Sequence, residues 1–296
     1  MPISLKSTVS AILEKIVKLT GRNNRLFSMI LNGLAERELD LMQRPSLLQK
    51  VGNYLLRLIP KGASFQDPIF KSVSFRHRDF KFKVWLDVTD YTQIRYYFAY
   101  PDPALRNLLL KGGRTFVDIG SNVGIFSVLA AQTFKKVHAF EPLPSVFETL
   151  QKNSKPQGNM SVHNVALSDQ SGSVTFHFNP LGSGGSSIEG VPAHHLEKTN
   201  KVARTFDVQA RTLDSYLDEI QDVDFIKIDV EGHETSALRG ASKTIEKFRP
   251  ALFVEIHDDH RFQEIKKLLP QGYRVVDPVT MQEHPRPYPD VLFLAK

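Results

Sequence analysis

Phe116-Val117-Asp118-Ile119-Gly120-Ser121-Asn122-Val123-Gly124 reads as a strand that runs into a glycine turn and then a helix, and it decides the fold class. Glycines at such a turn let the backbone come close to a bound nucleotide. From Thr115 onward strand-like and helix-like segments alternate. The pattern predicts strands near 115–118, 136–140, 160–165, 223–228, 251–256, 272–276 and 290–295, with helices near 123–133, 144–154, 234–247 and 260–269. That alternation predicts an α/β fold: a mostly parallel sheet of seven strands with helices on both faces. Only a Pro-rich loop separates the two terminal strands, so an antiparallel last strand is expected. Residues 172–210 interrupt the alternation with strand-like runs at 174–178 and 205–210 around the loop Gly182-Ser183-Gly184-Gly185-Ser186-Ser187. An insertion at that point builds the substrate side of a site, although so small and polar a loop reads equally well as a flexible linker.

Working outward, residues 72–88 alternate with period two. Phe80, Phe82, Val84, Leu86 and Val88 share one face, as in a half-buried hairpin arm. The first sixty residues instead show helical spacing. Val9, Ile12, Leu13, Ile16 and Leu19 form one face, Leu26, Phe27, Ile30 and Leu34 a second, and Leu47, Leu48, Val51, Leu55 and Leu58 a third. Three regions are therefore expected: a helical block over 1–61, a connecting strand and helix region over 62–113, and the α/β domain over 114–296.

The charge is divided along the same lines. The chain of 296 residues carries 38 Lys+Arg against 32 Asp+Glu, a formal +6. Ten of those bases and four of those acids lie in residues 1–61, so that block holds the whole excess and the rest is neutral. A protein that coats nucleic acid would put its basic stripe on the main domain. The basic block is expected to pack as a cap on the main domain or on a second copy in a homodimer. The alternative is contact with an anionic membrane surface or a phosphorylated carrier. At 41% hydrophobic and 24% charged residues the composition is that of a globular protein. With no cysteine, disulfides, thiolate metal sites and a Cys nucleophile are excluded. Glu14, Lys15 and Lys18 break the first apolar segment, so neither a membrane span nor a secretory signal is expected, and the reading is cytoplasmic, with peripheral membrane contact as the alternative.

Four further motifs carry chemistry. A dinucleotide fingerprint would want glycine where Asp118 stands. A carboxylate there would repel a pyrophosphate, but it suits a ligand bearing an ammonium group, such as S-adenosylmethionine (SAM). Glu141 ends the next strand in Val137-His138-Ala139-Phe140-Glu141-Pro142, at the spacing of an acid that binds ribose hydroxyls. Asn164-Val165-Ala166-Leu167-Ser168-Asp169 closes the third strand; Asp169, or else Ser168, would accept a hydrogen bond from an adenine amino group, and a plain turn is the competing reading. Asp224 to Glu234 places Phe225, Lys227 and Asp229 on one strand face, with Glu231, His233 and Glu234 just beyond. Four ionisable groups at a strand's carboxyl end resemble a reaction centre, since ligands of open α/β sheets bind at that edge. Glu255 and His257 reach the same edge from the following strand.

Together these motifs resemble the FkbM-type family of SAM-dependent methyltransferases. The resemblance covers about residues 100–260. It rests on 116–126, 138–142, Thr212-Leu213-Asp214-Ser215-Tyr216-Leu217, 224–240 and 249–257, with Asp229-Val230-Glu231-Gly232-His233-Glu234 and Leu238-Arg239-Gly240-Ala241 its most specific part. It implies a Rossmann-like core that methylates a hydroxyl on a sugar, glycolipid or related metabolite. It also implies that Asp118, Gly120, Ser121, Asn122, Gly124 and Glu141 line the cofactor, with Asp229 and its neighbours facing the acceptor.

A sugar hydroxyl is a poor nucleophile, so a base should take its proton or a metal should lower its pKa. His233 is the expected base, with Asp229 orienting it or the acceptor, and Glu231, Glu255 and His257 in reserve. A divalent metal on Asp229, Glu255 and His257 ranks below a metal-free base. Two other classes compete: a nucleic-acid methyltransferase, and a SAM-binding scaffold that does no chemistry.

Overall fold

The computed structural model describes residues 37–40, 68–77, 79–98, 102–179, 182–191, 204–285 and 289–295. The chain divides into two compact units: 1–100 with 180–182 and 193–202, and 101–179 with 183–192 and 203–296.

In the first unit, β2 (Phe70–Arg76) and β3 (Lys81–Asp87) form the expected antiparallel hairpin, with Phe75 opposite Phe82 and Val73 opposite Val84. These apolar residues and Leu86 are buried, and the Phe75 and Phe82 rings stack at 5.3 Å. A short strand β1 (Arg37–Asp40) adds to β2 in parallel. The helical reading of 1–61 otherwise falls outside the described residues, and Arg37–Asp40 within it is a strand. Asp90 then starts helix α1 (Tyr91–Phe98) by accepting the backbone N–H groups of Thr92 and Gln93.

In the second unit, helix α2 (Pro103–Leu109) leads into β4 (Gly113–Ile119), α3 (Ile125–Ala130), β5 (Phe134–Phe140), α4 (Pro144–Ser154) and β6 (Met160–His163). The chain then makes β7 (Ala166–Leu167), β8 (Gly172–Phe178) and β9 (Arg204–Arg211), which form a separate small sheet in the order β7-β9-β8. It returns through β10 (Phe225–Ile228), α5 (Glu234–Arg239), α6 (Ser242–Phe248), β11 (Ala251–Glu255), α7 (Asp259–Leu268), β12 (Tyr273–Val276) and β13 (Asp290–Ala295). The large sheet has seven strands in the order β12-β13-β11-β10-β4-β5-β6. β13 lies antiparallel between β11 and β12, and the other neighbouring pairs are parallel. The first half winds outward from β4 to β6 and the second restarts at β10 beside β4. The carboxyl ends of β4 and β10 therefore mark the switch point, where open sheets of this kind bind ligands.

The strands read as near-continuous apolar runs because both faces are covered. On one face Val117, Ile119, Ile226, Ile228, Leu252 and Val254 pack with Ile245, Phe262 and Phe293 in one buried cluster. On the other, Phe116 meets Phe134 and Phe225 at 5.6 and 5.8 Å.

The structure changes two expected elements. The single helix expected over 234–247 is two, broken at Gly240-Ala241. A Cβ on Gly240 would run into the backbone carbonyl of Ser168. The Gly240 carbonyl meanwhile accepts the Asp214 N–H, so the chain turns there to let two backbones touch. The strand expected over 160–165 ends at His163. Asn164 turns its side-chain amide onto the Glu141 and Pro142 carbonyls at 2.9 Å each. Ala166 and Leu167 then pair with β9, outside the large sheet.

Candidate active site

The turn after β4 is built for close backbone contact. Gly120 has φ +75°, and a Cβ there would collide with the Asp229 carbonyl at the end of β10. Ser121 donates from Oγ to the Phe140 carbonyl at 3.2 Å. Asn122 donates from Nδ2 to Ser183 Oγ at 2.9 Å, and Gly124 opens α3 in a left-handed conformation. Glu141 lies buried beside the turn; its Oε2 accepts the Asn122 N–H at 2.9 Å and its Oε1 the Leu143 N–H at 3.0 Å. Burial outweighs these two bonds and pushes the Glu141 carboxyl up to about 7.

Asp118 does not open onto solvent. Its carboxylate is fully buried, accepts Ser127 Oγ at 2.5 Å through Oδ2, and has the Lys227 ammonium 3.3 Å from Oδ1. Lys227 also donates to the Gly120 carbonyl at 3.0 Å and lies 3.4 Å from Asp229 Oδ2. Sequence reasoning placed Lys227 on the right strand face but gave it no part in the site. Its signal was the lone cation in an otherwise apolar buried strand, Phe225-Ile226-Lys227-Ile228.

Around Lys227 the strand ends gather carboxyls. Asp229, Glu231 and Glu255 have oxygens within 4.8 Å of one another. Asp290, at the start of β13, and Asp102, at the N-cap of α2, complete the group; neither was singled out from sequence. Burial pushes Glu231 up to about 8, helped by the Asp229 charge. The Asp229 charge, then burial, raises Glu255 well above the carboxylate range. Asp290 rises to about 6, mainly by burial. Burial also raises Asp102. Carboxyls crowded around one ammonium disfavour one another's ionisation, and burial adds to the effect for Glu231, Glu255 and Asp290.

His233, the expected base, has partners of its own. His233 is buried, with Nδ1 2.7 Å from Glu189 Oε1 and Nε2 2.9 Å from Ser168 Oγ. Ser168 in turn is 3.1 Å from Asp169 Oδ1. His233, Ser168 and Asp169 thus form a chain with Glu189, a residue of the 172–210 insertion for which nothing local in the sequence gives a signal. Glu234 is held apart from the carboxyl group by the Gly232 N–H at 2.8 Å and by Arg261 at 3.6 Å. His257 stands at the rim, 3.5 Å from Glu255 and half exposed, outside the Asp229, Glu231 and Glu255 trio. The trio of oxygens close enough to hold a cation is Asp229, Glu231 and Glu255, and His257 is not among them.

A doubly wound sheet with a glycine turn at its switch point and an acid ending the next strand defines a Rossmann-like, nucleotide-cofactor fold. The chain matches the methyltransferase FkbM domain family over residues 118–275, more than half its length, and belongs to that family. It is 29% identical over 160 residues to the hexuronic acid methyltransferase AglP of Haloferax volcanii, covering 52% of this chain and 61% of that protein. It is 28% identical over 172 residues to the 2-O-methyltransferase NoeI of Sinorhizobium fredii, covering 53% of this chain and 69% of that protein. The matched stretches thus span only part of these curated relatives. A crystal structure of the methyltransferase FkbM from Methylobacillus flagellatus KT aligns with a TM-score of 0.43 at 18% identity, over 69% of this chain and 52% of that one. Among the described residues no helix is long and apolar enough to cross a membrane.

Proposed function

We propose that the chain is a SAM-dependent O-methyltransferase acting on a hydroxyl of a sugar, glycolipid or related metabolite. The observation that carries this reading is the cluster of carboxyls around Lys227 beside the glycine turn. It offers acceptors and proton-holding groups to a neutral hydroxylated ligand and repels a polyanion.

The residues present fit the cofactor. Among the described residues each Glu141 oxygen accepts one backbone N–H, so each keeps a lone pair for a ribose hydroxyl. Among the described residues Asp118 Oδ1 accepts no hydrogen bond, but an ammonium reaches it only by displacing Lys227. Asn122 and Ser121 hold the turn in place. When bound, SAM supplies a sulfonium methyl group to the acceptor oxygen.

The protein's own part is positioning and proton handling. Much of the acceleration in such a transfer comes from holding the acceptor oxygen in line. Asp229 and Glu231, at the end of β10, are assigned to accept hydrogen bonds from acceptor hydroxyls. Glu231, in its ionised form, is assigned to take the proton, so transfer should quicken as pH rises toward about 8. His233 has both ring nitrogens engaged, so its role is to position the 183–191 segment against the end of β10. The Asp229, Glu231 and Glu255 trio would also suit a hard divalent cation, and loss of activity on chelation would favour that variant of the mechanism. The basic excess of residues 1–61 is assigned to docking an anionic carrier or surface.

The reading is tested with methyl-labelled SAM and a panel of neutral glycosides, uronates and RNA. Label in a glycoside hydroxyl, lost in Glu231→Gln, supports it. Transfer only to RNA, or SAM binding with no transfer to any hydroxyl acceptor, overturns it.

A further inference from the structure

A second cluster lies at the other end of the sheet's winding, on β5 and β6. His138 is buried, with its side chain 5% exposed, and His163 is nearly so at 15%. Phe140 is the register partner of His163, and His138 sits two residues earlier on the same face of β5. The two imidazoles stack nearly parallel, 5.8 Å between centroids at 15°. Their nitrogens converge on a single oxygen: His138 Nδ1 is 3.6 Å and His163 Nε2 is 3.8 Å from Glu219 Oε1. Both nitrogens are buried without a hydrogen-bond partner among the described residues. Leaving two buried ring nitrogens unsatisfied is costly, and native structures seldom do so without a reason.

The distances supply the reason. They are too long for hydrogen bonds, yet they suit two ligands of one small ion. With metal–nitrogen and metal–oxygen bonds of about 2.0–2.2 Å in tetrahedral geometry, neighbouring donor atoms lie roughly 3.3–3.6 Å apart. We propose that His138, His163 and Glu219 form a binding site for a Zn²⁺-like divalent first-row ion, separate from the methyl-transfer site. Two imidazoles and one carboxylate are a donor set that such ions favour. Solvent completes the coordination, reaching the ion past Glu219, whose side chain is half exposed.

The surroundings keep the ligands ready. Burial, then His163 and Lys136, depresses His138 to about 4, while Glu219 opposes them; burial likewise lowers His163, with Arg211 adding to it. Both shifts favour the neutral imidazole, the form a metal needs. Lys136 and Arg211 also weaken the pull on a dication, so affinity should fall below that of a full four-ligand zinc centre. Glu219 is held where it is needed: its segment packs Tyr216 edge-on against Phe140 at 5.1 Å and His163 at 5.0 Å. A bound ion would pin residues 213–220 to the edge of the large sheet.

The test uses the full-length protein stripped with a chelator and titrated with Zn²⁺ and Co²⁺. One tight equivalent is expected, with visible d–d bands for Co²⁺ typical of a four-coordinate site and a rise in melting temperature with Zn²⁺. Glu219→Gln, at a half-exposed position, should fold and lose affinity roughly 10–100-fold. His163→Gln should do the same and change the Co²⁺ spectrum. In Asp229→Asn the site should persist, separating it from the carboxyl group near Lys227. Unchanged Zn²⁺ affinity in both Glu219→Gln and His163→Gln, or loss of the equivalent in Asp229→Asn alone, overturns the proposal.

Discussion

The Lys227 ammonium lies 3.3 Å from the Asp118 carboxylate, and both side chains are almost wholly removed from solvent. Asp118 depends on this ammonium for its charge partner, while Lys227 is also met by Asp229 and the Gly120 carbonyl. Lys227→Met should therefore leave Asp118 buried and uncompensated, at a cost of about 3–5 kcal/mol. Adding Asp118→Asn should restore a large part of that loss, since the double variant buries no net charge. Denaturant unfolding of the two single variants and the double variant measures the coupling. If the losses simply add, the pair is not a unit.

The carboxyls around Lys227 should give stability an unusual pH dependence. A carboxyl whose folded pKa is raised keeps its proton in the folded state where the unfolded chain has lost it. Folding then binds protons, and stability falls as pH rises through that window. For Glu231 the window runs from about 4.5 to about 8, and for Glu141 from about 4.5 to about 7. His138 has the opposite sign: its depressed folded pKa makes stability rise with pH between about 4 and 6.5. The two effects compete below pH 6.5, and only the carboxyls remain above it. Melting temperature without ligand is expected to decline between pH 6.5 and 8, and Glu231→Gln should flatten that decline. An unchanged slope in that variant would show that Glu231 is already ionised.

Sequence legibility followed the range of the interactions. The seven-stranded sheet was readable because each β-strand and α-helix announces itself within a dozen residues, and the glycine turn and Glu141 lie on consecutive strands. Asp229, Glu231 and Glu255 could be placed at one edge because adjacent parallel strands end together. The split of the helix at Gly240 could not be read, because its cause is the Ser168 carbonyl seventy residues away in the chain. The partners of His233 could not be read for the same reason: Glu189 and Ser168 come from distant segments. Charge counting pointed to the strand end but not to Lys227, since sequence alone does not show that a lysine is buried between two aspartates.

Glu141 anchors the turn and is assigned to the ribose, so two substitutions should separate those tasks. Glu141→Gln keeps one acceptor oxygen for a backbone N–H but turns the other position into a donor. SAM affinity should drop on the order of 10-fold or more, by loss of a hydrogen bond to a charged acceptor. Glu141→Ala should lose at least as much and also destabilise the fold, because the Asn122 and Leu143 N–H groups lose their partner. Calorimetric titration with SAM, paired with thermal melts, reads both effects. Unaltered affinity in Glu141→Gln would remove the carboxylate from the cofactor site.

His233 and Glu189 should behave as a positioning pair. The 2.7 Å contact between Nδ1 and the Glu189 carboxylate fastens the 183–191 segment to the turn at Gly232. Ser187 adds a weaker contact, 3.4 Å from its Oγ to the Val230 carbonyl. His233→Ala and Glu189→Ala should each raise KM for the acceptor and speed hydrogen exchange in 183–191. Their effects should be non-additive by roughly 0.5–3 kcal/mol in a double-mutant cycle. The pH profile of kcat should keep its shape, because Glu231 rather than the imidazole is assigned the proton. A profile that loses its acid limb in His233→Ala alone would return the general-base role to His233, and the contact with Glu189 would then orient the base rather than the loop.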